Sequence, residues 1–178
     1  MRSLPTVFAI TFIIFFSSCG ESYEFVGKQI VRVSKENMHE DSLIYDSIGK
    51  FYFSRLSKPA TMGILGNMTL PKENQDQPLW VIFEGRFRTN FPYSHATITV
   101  MGTNDKKETL CWNSCYLRLH ITDLNQWCHF KDSVFLTSQL NFHIYNSINT
   151  FAYLGPSPGE KFDIDSFTVT VRQKISNI

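Results

Sequence analysis

Alternation between apolar and polar residues dominates the chain beyond its N-terminal region. In LWVIFEGRFR, residues 79–88, one face carries Val81, Phe83, Gly85 and Phe87, and the other carries Trp80, Ile82, Glu84, Arg86 and Arg88. Residues 95–101 and 139–145 alternate in the same way. A period of two residues is typical of half-buried β-strands, with one face on a core and the other outward.

The last clear segment, FDIDSFTVTVR at residues 162–172, changes phase part of the way along. Its apolar residues occupy even positions up to Ile164 and odd positions from Phe167. A β-bulge near Asp165 and Ser166 would bring both halves back to the core. Two short strands joined by a kink are the alternative.

Weaker patterns predict further strands at 25–33, 43–45, 50–53, 62–65, 109–112, 116–121 and 127–130. Turn residues separate these segments, and one or two helical turns are predicted around 34–42. Neither an internal repeat nor a long linker divides the chain. The pattern therefore predicts an all-β, antiparallel β-sandwich or jelly roll formed by one domain.

The N-terminus carries an apolar run of ten residues, from Val7 to Phe16. A membrane-spanning helix needs about 20 apolar residues, so the run fits the apolar region of a signal peptide. Phe16-Ser17-Ser18-Cys19 resembles a bacterial lipobox, in which the cysteine thiol receives a lipid. We therefore predict a signal peptide at 1–18, a tether at 19–24 lipidated on Cys19, and a β-sandwich domain at 25–178. Ordinary signal cleavage around residues 18–20 is the alternative.

Composition excludes some partners. The 17 basic and 16 acidic residues nearly balance, and no Lys/Arg cluster occurs, so nothing indicates a nucleic-acid partner or a polybasic membrane contact. After cleavage about 160 residues remain, which suits a single core, and 16 phenylalanines can fill it.

Three cysteines remain if Cys19 is lipidated, namely Cys111, Cys115 and Cys128. At most one disulfide can form among three thiols. The sequence is compatible with a hairpin turn at Asn113 and Ser114 flanked by Cys111 and Cys115, with a Cys115–Cys128 bridge between neighbouring strands, and with three free thiols. The spacing fits zinc-binding patterns poorly.

Signatures of catalysis are few: neither H-E-x-x-H nor a glycine-rich phosphate loop occurs, and the G-x-S-x-G match at residues 155–159 is a Pro-rich turn rather than a strand-to-helix elbow. Asp163 and Asp165 share a strand face and, with Glu84, are the only carboxylates considered for an acid/base pair. An i, i+2 pair beside a bulge is more often structural, so we predict no enzyme, with a glycoside hydrolase as a weak alternative.

Outward aromatic and polar residues suggest a binding surface. Rings stack on the apolar face of a sugar while polar neighbours bind its hydroxyl groups. On this basis the candidate ligand-binding residues are Trp80, Arg86, Arg88, Asn141, His143 and Tyr145. They form one surface if residues 79–88 and 139–145 belong to the same sheet. Trp112 and Trp127 are expected in the core.

Four segments together resemble a known family. The FFSSCG segment is similar to the N-termini of exported Bacteroidota lipoproteins, many of which continue as a galactose-binding-like jelly roll, the architecture of numerous carbohydrate-binding modules. FDIDSFTVTVRQK resembles the closing strand of that fold, LWVIFEGRFR its central strand, and CWN…DLNQWCHF a stretch with two tryptophans. The resemblance covers residues 79–174. It implies no cofactor beyond a structural calcium ion at Asp163 or Asp165.

These observations lead to a principal hypothesis and three alternatives. We expect a lipid-anchored, non-catalytic protein of the bacterial outer membrane or cell surface that binds a glycan or another extracellular ligand. A periplasmic or secreted location follows if Cys19 is not lipidated. The alternatives are a docking component of the envelope, a hydrolase, and a secreted eukaryotic protein glycosylated at Asn67, which lies in an Asn-Met-Thr sequon.

Overall fold

A computed structural model describes residues 23–34, 42–58, 61–75, 78–136 and 145–174. The described residues form ten strands and two short 3-10 helices, the helices at Lys72–Asn74 and Leu117–His120. The strands are β1 Tyr23–Val31, β2 Ser42–Asp46, β3 Phe51–Leu56, β4 Thr61–Thr69, β5 Leu79–Thr89, β6 Ala96–Thr103, β7 Thr109–Tyr116, β8 Cys128–Leu136, β9 Ser147–Leu154 and β10 Phe162–Lys174.

Two antiparallel sheets pack face to face. Sheet A has the order β2-β3-β10-β5-β8, with β1 also paired to β10, and sheet B has the order β4-β9-β6-β7. The order β3-β10-β5-β8 against β4-β9-β6-β7 is that of an eight-stranded jelly roll, to which β1 and β2 are added. The predicted all-β, antiparallel sandwich is confirmed.

The core lies between the sheets and is rich in phenylalanine. Phe83, Phe87 and Phe162 of sheet A are fully buried, as are Ile98 and Val100 of sheet B. Rings meet edge to face, for example Phe83 with Phe167 at a centroid distance of 6.5 Å. Alternation along β5 therefore predicted its inward face correctly.

β10 contains the predicted bulge. Its register against β5 shifts between Ile164 and Phe167, so Asp165 and Ser166 together lie opposite Arg86. The residues Phe162 to Ile164 pair with β3, and the residues from Phe167 onward pair with β1. Both halves of β10 thereby direct their apolar side chains into the core.

Several local expectations were wrong. Residues 117–120 form a 3-10 helix rather than the predicted strand, and β9 was not predicted. Trp112 is 58% exposed, because Cys111 and Cys115 take the inward positions of β7 and turn Trp112 to the outer face of sheet B.

The predicted signal peptide, Cys19 and most of the helical segment at 34–42 lie outside the described residues, as does most of the strand expected at 139–145.

The cysteines do not form a disulfide: Cys111, Cys115 and Cys128 are free thiols. Residues 109–116 are one continuous strand rather than a hairpin, so Cys111 and Cys115 are roughly 13 Å apart at ~3.4 Å per residue, well beyond the ~7 Å reach of a disulfide. Cys128 starts β8 in the other sheet, where its thiol donates to the carbonyl oxygens of Asp123 and Gln126.

Close packing beside the bulge leaves no room for a side chain at Gly85. A Cβ there would lie 2.8 Å from Phe167 Cβ and 3.0 Å from the carbonyl oxygen of Ser166. We expect Gly85→Ala to lower the free energy of unfolding in urea by about 1–3 kcal/mol, because neither neighbour can move cheaply. The matched control is Gly27→Ala, whose Cβ would meet only the flexible end of Met68. Equal, small effects of both substitutions would contradict the close packing at the bulge.

Burial makes Cys115 unreactive. Desolvation raises the pKa of its thiol to about 12, so at pH 8 the thiol stays protonated, and the thiolate is the form that reacts. We expect iodoacetamide at pH 8 to leave Cys115 unmodified in the folded protein and to modify it in urea, as measured by peptide mass spectrometry. Rapid modification of the folded protein, or a disulfide-linked peptide containing Cys115, would contradict the structure.

Candidate functional site

The outer face of sheet A carries the predicted binding residues of β5. Its side chains alternate with the core residues Val81, Phe83 and Phe87, so Trp80, Arg86 and Arg88 all lie outward as the sequence predicted. Two depressions open on this face, one at each end of β5.

Of the other half of the predicted surface, the structure describes only Tyr145. Asn141 and His143 lie outside the described residues. Tyr145 is only 1% exposed, so its expected outward position is wrong. It precedes β9 of sheet B, its N–H donates to the carbonyl oxygen of Gln75 (2.7 Å), and its ring packs on Gly102. Burial and a hydrogen bond to Cys111 raise the pKa of the Tyr145 phenol.

The first depression, which we call the aromatic groove, has a volume of about 220 Å³ and is lined by Tyr23, Trp80, Ile82, Ser133 and Arg172. The ring of Trp80 packs against Phe135 at a centroid distance of 4.9 Å. Its indole N–H donates to the hydroxyl oxygen of Tyr23 (3.1 Å), and the two rings meet edge to face. Trp80 is thus held in one orientation while part of its ring stays accessible.

An arginine–aspartate row crosses sheet A at the other end of β5. Asp163 of β10 lies directly opposite Arg55 of β3 and Arg88 of β5. Arg55 donates to both carboxylate oxygens, through Nε (2.6 Å) and Nη2 (2.8 Å), and Arg88 donates to Oδ2 through Nε (2.9 Å) and Nη2 (2.7 Å). The hydrogen bond to Asp163 raises the pKa of Arg55. One nearly buried carboxylate therefore fixes two partly exposed guanidinium groups.

The ring of Trp127 packs on the guanidinium groups of this row. Its ring lies over the guanidinium of Arg88 at 4.9 Å and over that of Arg86 at 5.7 Å, and it meets Phe51 and Phe53 edge to face. Trp127 was expected in the core between the sheets, but it belongs to this cluster on the outer face. Cation–π contacts of this kind contribute about 0.5–2 kcal/mol each.

The second depression, which we call the polar pocket, has a volume of about 300 Å³. Its lining residues are Arg55, Arg88, Thr89, Asn90, Asn125, Lys161 and Asp163. Lys161 makes no ion pair with any residue that the structure describes. Three cations and one carboxylate therefore give the pocket an excess of positive charge.

Buried hydrogen bonds hold the walls of the polar pocket. Glu160, which is fully buried, accepts from the hydroxyl groups of Ser94 and Thr89 and from the backbone N–H of His95. Asn90 Oδ1 accepts from the N–H of Lys161 (2.7 Å). The N–H of Asn125, a residue with positive φ, donates to the carbonyl oxygen of Thr89 (2.8 Å). The loops that present the pocket side chains are thus tied to β5.

The acidic residues considered for calcium or catalysis are engaged with cations. Asp163 pairs with two arginines, Asp165 pairs with Arg86, and Glu84 lies 3.5 Å from Lys131. In the described part of the chain, no group of three or more His, Cys, Asp or Glu side chains is arranged to hold a metal ion. The carboxylates of Asp163 and Asp165 are therefore hydrogen-bonded to arginine side chains.

Sequence reasoning missed most of the residues that complete the two depressions. Arg55 and Asp163 are separated by 108 positions, and only the register of β3 against β10 brings them together. Tyr23 and Phe135 likewise reach Trp80 from β1 and β8. The alternation along β10 contains part of this information. Once the bulge is included, it places Asp163 and Arg172 on the same face of the sheet as Trp80 and Arg88.

No helix in the described ranges combines the length and apolar character needed to cross a bilayer. No model of a known protein family matches the chain, and no curated protein sequence matches it.

Among solved structures, the VP2 subviral particle of infectious bursal disease virus has a TM-score of 0.49 and 10% identity, over 86% of this chain and 37% of VP2. The chain therefore spans little more than a third of that protein. The xylan-binding module CBM15 has a TM-score of 0.44 and 11% identity, over 88% of this chain and 100% of the module. The module CBM27-1 of Caldicellulosiruptor saccharolyticus, solved with mannohexaose, has a TM-score of 0.33 and 12% identity, over 86% and 100% of the two chains. Similarities this distant assign neither a family nor a ligand.

Proposed function

We propose that this protein binds a glycan, without catalysis, on the outer face of sheet A. The observation that carries the proposal is the fixed, partly exposed ring of Trp80 in the aromatic groove. Tyr23 and Phe135 hold this ring, so little conformational freedom is lost when a ligand stacks on it. Ser133 and Arg172 lie beside it and supply polar groups for hydroxyls.

The arrangement of the face suits an extended ligand. Trp80 and Arg88 are eight residues apart on β5, which corresponds to roughly 27 Å at ~3.4 Å per residue. Both depressions open on the same face, and between them the sheet presents the exposed pair Glu84 and Lys131. A chain of several sugar units can contact both ends, whereas a compact ligand can contact only one.

The binding is non-catalytic in this proposal. The outward carboxylates of Asp163 and Asp165 serve as acceptors for arginine, and Glu84 is exposed next to a lysine. A glycosidase needs two carboxyl groups flanking an open site about 5–10 Å apart. The pairing of these carboxylates with cations favours a structural role for them.

We further propose that the protein is exported and anchored through a lipid on Cys19, at the bacterial outer membrane or cell surface. The support is the sequence alone: a ten-residue apolar run followed by two serines and the cysteine. A surface anchor would keep the outer face of sheet A available to extracellular polysaccharide.

We expect Trp80→Ala to weaken glycan binding at least tenfold, which corresponds to about 1.4 kcal/mol, because the stacking platform is removed. The measurement is calorimetric titration with neutral oligosaccharides selected on a glycan array. Trp112→Ala is the matched control, because Trp112 is exposed on the outer face of the other sheet.

Two results would overturn this proposal. One is the absence of binding to any glycan on the array. The other is an equal loss of binding in both tryptophan variants, or a loss that thermal unfolding attributes entirely to lower stability. Co-purification of one stoichiometric protein partner without glycan affinity would favour a docking function instead.

Intact-mass measurement of the protein from a bacterial host tests the anchor. We expect cleavage before Cys19 and an added diacylglycerol and acyl mass on that residue, both abolished in Cys19→Ala. A polypeptide that begins after residue 20 without lipid would contradict the anchor, and a glycan on Asn67 from a eukaryotic host would favour the secreted alternative.

A further inference from the structure

The polar pocket carries more positive charge than the fold requires. Arg55, Arg88 and Lys161 surround a single carboxylate, that of Asp163. Asp163 pairs with both arginines and neutralises one of the three lining cations, and two carboxylates outside the lining, those of buried Glu160 and of Asp46 near Arg88, offset part of the remaining charge. The ion pairs join β3, β10 and β5. One carboxylate would need only one arginine for this purpose, so neither the second arginine nor Lys161 is explained by it.

The arginine donors are held in place before any ligand arrives. The guanidinium of Arg88 lies over Trp127 at 4.9 Å and over Phe53 at 5.2 Å, and that of Arg55 lies over Phe53 at 5.5 Å. Their Nε and Nη2 atoms are used by Asp163, which leaves Nη1 of each arginine without a hydrogen bond to any described residue. Both side chains remain 25–30% exposed and line the pocket.

Neutral polar groups complete the pocket. Asn90 and Asn125 are both exposed and lie on loops tied to Thr89 and Lys161 by backbone hydrogen bonds. Amide side chains recognise hydroxyl groups, whereas guanidinium and ammonium groups recognise anions. A volume of about 300 Å³ is at the lower end for small-ligand sites, so the pocket accommodates one sugar unit rather than several.

We propose that the polar pocket binds the carboxylate of an acidic sugar, so that the glycan recognised by this face contains uronic acid residues. This inference rests on the proposed glycan-binding function and names its substrate class. Arginine suits a planar carboxylate because its donors lie in one plane. Lys161 adds an exposed charge, and the amide of Asn125 binds hydroxyls of the same ring, whereas the amide of Asn90 holds the backbone of Gly159 and Lys161.

The test compares two ligands of equal length, an oligogalacturonate hexamer and the same hexamer after reduction of its carboxyl groups to alcohols. We expect the protein to bind the acid form at least tenfold more tightly at low salt, with the preference falling as salt rises. Lys161→Gln should reduce that preference at least threefold. Lys161 is chosen because removal of either arginine would also strip a partner from buried Asp163.

Lys106→Gln is the control for net charge, because Lys106 lies in the exposed turn between β6 and β7 of the other sheet. Equal binding of the two hexamers would overturn the inference but leave glycan binding in place. The same loss in Lys106→Gln and Lys161→Gln would also overturn it, since it would indicate a general field effect. A sulfated hexamer without carboxyl groups that binds as tightly as the acid form would contradict the assignment to a carboxylate. Failure of every oligosaccharide to bind would instead overturn the proposed function itself.

Discussion

The change of phase in β10 is the constraint on which the rest of sheet A depends. This strand lies in the middle of the sheet and pairs with β5 along one side and with both β3 and β1 along the other. Without the extra residue at the bulge, one half of β10 would direct Phe167, Val169 and Val171 to solvent. Because Asp165 and Ser166 share one position opposite Arg86, every apolar residue from Phe162 to Val171 reaches the core.

The same phase change places Asp163 and Asp165 outward, at the point where β3, β10 and β5 meet. A carboxylate that is only 3% exposed is costly unless it is paired, and Asp163 is paired across both neighbouring strands. The arginines in turn need their apolar stems and planar heads covered, which Phe51, Phe53 and Trp127 do. The polar pocket is therefore a consequence of how the central strand is accommodated, since its arginines are fixed by the residue that the bulge turns outward.

How much the sequence predicts depends on whether the decisive contacts are local. The bulge could be read from β10 alone, because one apolar phase replaces another within a few residues. The outward positions of Trp80, Arg86 and Arg88 follow from alternation within β5. β9 was missed because Phe151 and Tyr153 make its second face apolar too, which hides the alternation. The state of the cysteines stayed open in the sequence, because the spacing of Cys111 and Cys115 fits both a hairpin turn and the straight strand that the structure shows.

The binding site could be predicted only in part, because it is assembled by sheet register rather than by any one segment. Trp80 is recognisable as outward, but its fixed orientation comes from Tyr23 and Phe135, which are distant in sequence. Tyr145 shared the alternation that marked an outward face, yet it lies inside sheet B against Gly102. Alternation identifies two faces of a strand without saying which face another sheet will cover.

Because large side chains fill the space between the two sheets, we expect a ligand to bind on the outside of this sandwich. The inner faces of both sheets are closed by large side chains, including Phe83, Phe130 and Ile98, all at most 2% exposed. The outer face of sheet A differs because its rings and cations are fixed by one another and still reach solvent. Stacking on Trp80 selects for an apolar ring face and is insensitive to salt, whereas charge at the polar pocket selects for an anion and weakens with salt. Under the proposed function, these two elements, held by one strand, would distinguish glycans of the same shape by their charge.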